Sequence, residues 1–88
     1  MGTAADPELL ALGALAFLAE ESGALANFLA QSGAAPAELR ARADDPHFLG
    51  GVLDFLLADD ALAQRFCAAE RIEPQALHLA RHRLSGTQ

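Results

Sequence analysis

The chain has 88 residues, twelve acids against six arginines, a formal charge of −6 and one cysteine, Cys67. That length makes one small domain. The acidity speaks against nucleic acid and anionic membranes as main partners, and a lone cysteine excludes an internal disulfide. A reducing, cytoplasmic setting is therefore expected. Alanine and leucine dominate, and the β-branched residues are only Thr3, Val52, Ile72 and Thr87, a mix that favours helix over sheet.

Elements follow in chain order. "MGTAAD" opens like a myristoylation signal, but Asp6 stands where Ser or Thr is needed. The apolar run Leu9 to Ala19 has no positive charge before it and acids on both sides, so no export signal is expected. It also falls far short of the ~20 residues that span a bilayer. Asp6-Pro7 sets an acidic N-cap before a first-turn proline and predicts a helix over 7–20. Ser22 is the N-cap candidate for a second helix over 23–32. Pro36, after the weak cap Ala35, predicts a third over 36–43. Asp45-Pro46 repeats the first signal and predicts 46–58. Asp59 caps a fifth over 60–70, and Pro74, after the weak cap Glu73, opens a sixth over 74–84. Residues 85–88 are expected to be a disordered tail.

A shift of 38 aligns the chain with itself without a gap. Ala5-Asp6 falls on Ala43-Asp44, and Gly13, Leu15, Phe17 and Leu18 fall on Gly51, Leu53, Phe55 and Leu56. Phe28, Ala30, Pro36 and Leu39 fall on Phe66, Ala68, Pro74 and Leu77. The expected fold is all-α: a compact six-helix domain, 1–88, built from two tandem three-helix units at 5–42 and 43–80. The paired glycines Gly13 and Gly51 are expected where the first and fourth helices cross closely, because glycine inside a helix costs about 1 kcal/mol against alanine.

Helical periodicity sorts the faces. In the fourth helix Phe48, Leu49, Val52, Leu53, Phe55 and Leu56 form one arc, and His47, Gly50, Gly51, Asp54 and Ala58 fill the remainder. In the first helix Leu10, Ala14, Leu15, Phe17 and Leu18 form the same arc, but the opposite side is Leu9, Leu12, Gly13, Ala16 and Ala19 with Glu20. A helix apolar all round is buried on several sides. The first helix should be central, or its outer side a partner interface.

Chemistry-bearing residues are sparse. His47 and Asp54 share a face, but seven helical residues separate their Cα atoms by ~10 Å, so Asp54 is expected to be a solvated edge. His78 and His82 are four apart and Cys67 could join them, yet zinc needs three or four ligands; cations gathering at a helix C-terminus explain them as well. Cys67 between Phe66 and Ala68 reads as a small buried hydrophobe. No nucleophile elbow or phosphate loop is present, so no enzyme, metal or cofactor is expected. Residues 1–70 carry eleven acids and three arginines, whereas 71–88 carry Arg71, Arg81, Arg83 and the single acid Glu73.

The stretch from Pro36 to Leu77, "PAELRARADDPHFLGGVLDFLLADDALAQRFCAAERIEPQAL", resembles the small, mainly alphaproteobacterial proteins grouped as domain of unknown function 3572. The block D-P-x-F-L-x-x-V-L-D-F-L-L-x-D at Asp45–Asp59, the Phe66-Cys67 pair and the P-x-x-L turn at Pro74–Leu77 carry the resemblance, and "ALAFLAEES" and "LANFLAQSG" extend it to about residues 9–84. It implies a soluble helical domain with no catalytic residue or cofactor to carry over. Together these readings lead first to a small cytoplasmic protein–protein interaction or adaptor module, with a homodimer through Leu9, Leu12, Gly13, Ala16 and Ala19 as one form of it. The alternative is a nucleic-acid-associated protein using the basic last helix. A metal-dependent or acid–base enzyme on His47, Asp54, Cys67, His78 and His82 comes last.

Overall fold

Three aspartates begin three helices by the same device. Asp6 Oδ1 accepts from the N–H groups of Glu8 and Leu9 at 3.0 and 3.2 Å. Asp45 Oδ1 accepts from His47 at 2.9 Å, and Asp59 Oδ1 from Ala61 and Leu62 at 3.1 and 3.2 Å. Each satisfies donors that the first helical turn leaves unpaired. The computed structural model describes residues 6–21 and 23–84. Its helices are α1 (Pro7–Glu20), α2 (Ala24–Ser32), α3 (Leu39–Arg42), α4 (Pro46–Leu57), α5 (Asp60–Glu70) and α6 (Pro74–Leu84), with no strand among the described residues. Ser22, Ala5 and the tail 85–88 lie outside the described residues.

The six helices stand where the sequence places them, with local differences. The second starts one residue late because Gly23 takes a left-handed conformation, φ 77°. The third differs most: a 3₁₀ turn at Pro36–Glu38 leads into the single turn of α3. Ala35 offers no side-chain oxygen, and the Glu38 carboxylate reaches back to its N–H at 3.0 Å instead. The chain then turns at Ala43–Asp45 to enter α4, with Asp45 N–H donating to Arg42 O.

α2 and α5 close on left-handed residues 38 apart, Gly33 at φ 78° and Arg71 at φ 58°. Behind Arg71 the Ile72 N–H donates to Cys67 O at 3.0 Å, the bond that wraps a helix end in a Schellman turn.

α1, α4 and α6 pack against one another; α2 lies against α1 and α4, and α5 against α4 and α6. The core is apolar throughout, with Leu18, Leu49, Val52, Leu53, Leu56, Phe66 and Leu77 fully enclosed and no buried polar side chain among the described residues. Three edge-to-face ring pairs tie the halves together: Phe17–Phe66, centroids 5.4 Å apart at 62°, Phe28–Phe55, 5.6 Å apart at 69°, and Phe28–Phe48, 5.5 Å apart at 64°. A shift of 38 exchanges the first two, since Phe17 maps to Phe55 and Phe28 to Phe66. Arg65 of α5 also reaches Glu21 after α1, at 2.8 Å. Their counterparts, Asn27 and Asp59, line the same hollow.

The glycine expectation fails. α1 and α4 do pack together, but a Cβ built on Gly51 would meet nothing within 4 Å, and one on Gly13 only Glu70 Oε2 at 3.9 Å. Nothing among the described residues explains glycine at either position. On α1 the small residues that are fully buried are Ala11 and Ala14, not Gly13.

Candidate functional site

α1 spends its inward face on Leu10, Ala11, Ala14 and Leu18, all buried. The opposite side remains outside. Leu9 is 55% exposed and Leu12 37%; Ala16 and Ala19 are exposed, and Gly13 is half-covered. The alternative in which this side is enclosed within the chain is therefore not met. The face is apolar because the sequence supplies no polar residue between Glu8 and Glu20, and α1 carries no basic residue at all. Burying one fully exposed leucine side chain is worth roughly 1.5–3 kcal/mol, and the area still open on Leu9 and Leu12 together amounts to about one such side chain.

On α4 the corresponding face is occupied. Asp54 is not merely a solvated edge: Arg81 of α6 grips it in two hydrogen bonds, Nε to Oδ1 at 2.5 Å and Nη2 to Oδ2 at 2.8 Å. This fork geometry suits arginine and carboxylate. The hydrogen bond to Asp54 holds the Arg81 guanidinium above its ordinary pKa, burial opposes the shift, and the Asp54 charge adds to it. Beside the pair, Arg81 and Leu84 cover Gly50, where an added Cβ would lie 3.5 and 3.8 Å from their nearest atoms. The pair escaped the sequence reading because the wheel of one helix cannot show a partner 27 residues away. Four-residue steps from Leu77 to Arg81, on a face meant to be inward, were the available signal.

A cleft of about 320 Å³ opens here, its wall including Arg42, His47, Phe48, Asp54 and Arg81. Arg42 lies over the Phe48 ring, 5.8 Å from its centroid. His47 and Asp54 thus share a cleft, but the Asp54 carboxylate is engaged by Arg81. Arg81 is correspondingly committed within the chain, which removes one cation from the basic surface that nucleic acid would need.

Cys67 and His78 line a second cavity of about 230 Å³ between α5 and α6, with Leu57 and Leu77 on its wall. Burial, then the charge of Glu73, raises the Cys67 pKa, so the thiol stays protonated and weakly nucleophilic at neutral pH. His82 does not line this cavity, and no three His, Cys, Asp or Glu side chains gather as a metal site among the described residues. Among the described residues, no single helix is long and apolar enough to cross a membrane.

What these features define is a small all-helical domain with an apolar core and one uncovered apolar helix face. Residues 4–87 match the family described as protein of unknown function (DUF3572), nearly the whole chain, and the protein belongs to that family. No curated protein and no solved structure was found to match it.

Proposed function

We propose that the protein is an interaction or adaptor module whose docking surface is the outer face of α1: Leu9, Leu12, Gly13, Ala16 and Ala19. The observation that carries this reading is the exposure of Leu9 and Leu12 on a helix with no polar residue between Glu8 and Glu20. Burying such a face is the usual source of association energy. Nothing in this function requires a reaction, a metal or a cofactor. A photo-crosslinking residue at Leu12 tests it in living cells. Covalent adducts should form at Leu12 and not at Gln64, an exposed position on α5. No adduct at Leu12, or the same adducts at both positions, would remove the reading.

A further inference from the structure

The cleft beside the Asp54–Arg81 pair carries charge that the fold does not use. Of its two arginines, Arg81 is spent on Asp54. Arg42, at the end of α3, makes no ion pair among the described residues; it is exposed, with its guanidinium over the Phe48 ring. The exposed His47 imidazole makes no hydrogen bond among them either. Asp54 is the only acid on the cleft wall. Arg81 and Asp54 therefore cancel, and the cleft presents one net positive charge from Arg42, with His47 on the same wall, in a chain of −6. The backbone of α4 adds a second feature. Gly50 and Gly51 both line the cleft. Arg81 and Leu84 cover Gly50, whereas a Cβ on Gly51 would enter open space. That space belongs to the cleft and to an adjoining hollow that shares Phe28, Ser32 and Asp54 with it. Glycine weakens a helix, and close approach of the backbone to a ligand is a reason to carry it.

We propose that this cleft binds a small monocarboxylate with a flat apolar body, its carboxylate on Arg42 and its body along Gly51 beside Phe28. A guanidinium held over a ring keeps its N–H edges for a forked contact, which suits a carboxylate. One net positive charge on the wall matches one negative charge on the ligand. A phosphate dianion or a polyphosphate would set uncompensated negative charge against Asp54. Phe28, Phe48 and Leu84 supply the apolar part of the lining, and the missing side chain of Gly51 leaves a bare strip of helix on which a ring can lie. The volume of about 320 Å³ is at the lower end for ligand sites and suits a single-ring molecule. α1 contributes no residue to this wall, so the inference stands apart from the docking face.

Titration of the isotope-labelled full chain with benzoate, followed by amide NMR shifts, tests this. Benzoate should move the amides of Ser32, His47 and Gly51 saturably, with a Kd of about 1 mM or tighter. Benzamide keeps the ring and lacks the charge; inorganic phosphate keeps charge and lacks the ring. Each should bind about tenfold more weakly or worse. Arg42→Gln, at an exposed position, should weaken benzoate about tenfold, and Gly51→Leu should abolish binding by filling the strip. Unchanged helicity by circular dichroism confirms that the variants fold; if Gly51→Leu does not fold, Arg42→Gln carries the test. No saturable shift with benzoate, benzamide or phosphate binding as tightly as benzoate, or Arg42→Gln binding as wild type does would each overturn the proposal.

Discussion

Replacing Phe17 and Phe66 by leucine, singly and together, measures how strongly one half of the chain grips the other; the same cycle at Phe28 and Phe55 measures the counterpart. Leucine is the right substitution. Alanine at a fully buried phenylalanine costs about 3–5 kcal/mol, while a domain of this length has only roughly 4–13 kcal/mol in total. Phe66 is fully enclosed and Phe28 nearly so, whereas Phe17 and Phe55 are half-buried. The single changes at Phe66 and Phe28 should therefore cost more than those at their partners. The edge-to-face geometry contributes about 0.5–1.5 kcal/mol beyond area burial, and the double-mutant cycle isolates that part. Because the two pairs differ by only 0.2 Å in centroid distance and 7° in tilt, their coupling energies should agree within about 0.5 kcal/mol, the usual error of additivity. Urea unfolding followed by circular dichroism is the assay, with unchanged m-values confirming a common transition. A coupling near zero at either pair, or couplings more than about 1 kcal/mol apart, would refute the view that the two contacts are equivalent.

Arg71→Gly should stabilise the protein by about 1 kcal/mol in the same assay, since glycine relieves the left-handed φ of 58° that its counterpart Gly33 already adopts freely; a loss of stability would show that the arginine side chain matters more than its backbone. Gly51→Ala should also stabilise, by roughly 0.5–1 kcal/mol of helix propensity, because its Cβ enters open space; destabilisation would reveal a close approach that the fold does not contain. The Cys67 thiol, raised in pKa by burial and Glu73, is favoured in its protonated form by the fold. Its contribution is whole below the unfolded-state value of ~8.5 and is lost as pH rises through the higher folded value. Stability should therefore fall more steeply above that pH in wild type than in Cys67→Ala, and parallel slopes would contradict the assignment.

The parts of the fold legible in the sequence were those written locally. Asp6-Pro7, Asp45-Pro46 and Asp59 announced three helix starts, because capping needs only a side-chain oxygen within three residues of the donors it serves. The apolar outer side of α1 was legible as well, since periodicity alone separates it from Leu10, Ala14 and Leu18. The third helix was overdrawn because Pro36 supplied a start while the tight turn into α4 supplied the limit, and only the second depends on tertiary structure. Arg71 was missed as a helix stop because the usual marker is glycine. The Asp54–Arg81 fork was invisible for a different reason: it depends on α6 lying along α4, which neither helix specifies by its own pattern. The Gly13–Gly51 pair misled by its regularity. A repeated residue need not be a packing contact, and a Cβ on Gly51 meets nothing within 4 Å.

The exchange of rings between the two halves has a consequence for how the protein comes into being. Phe17 leaves the ribosome before its ring partner Phe66, 49 residues later, and α1 also packs against α6, which is made after it. A nascent chain that ends anywhere before Leu84 holds a first helix with apolar residues on every side and no finished core to receive them. The first half cannot mature while the second is still in synthesis. Until α6 has emerged, α1 is the segment most in need of shelter.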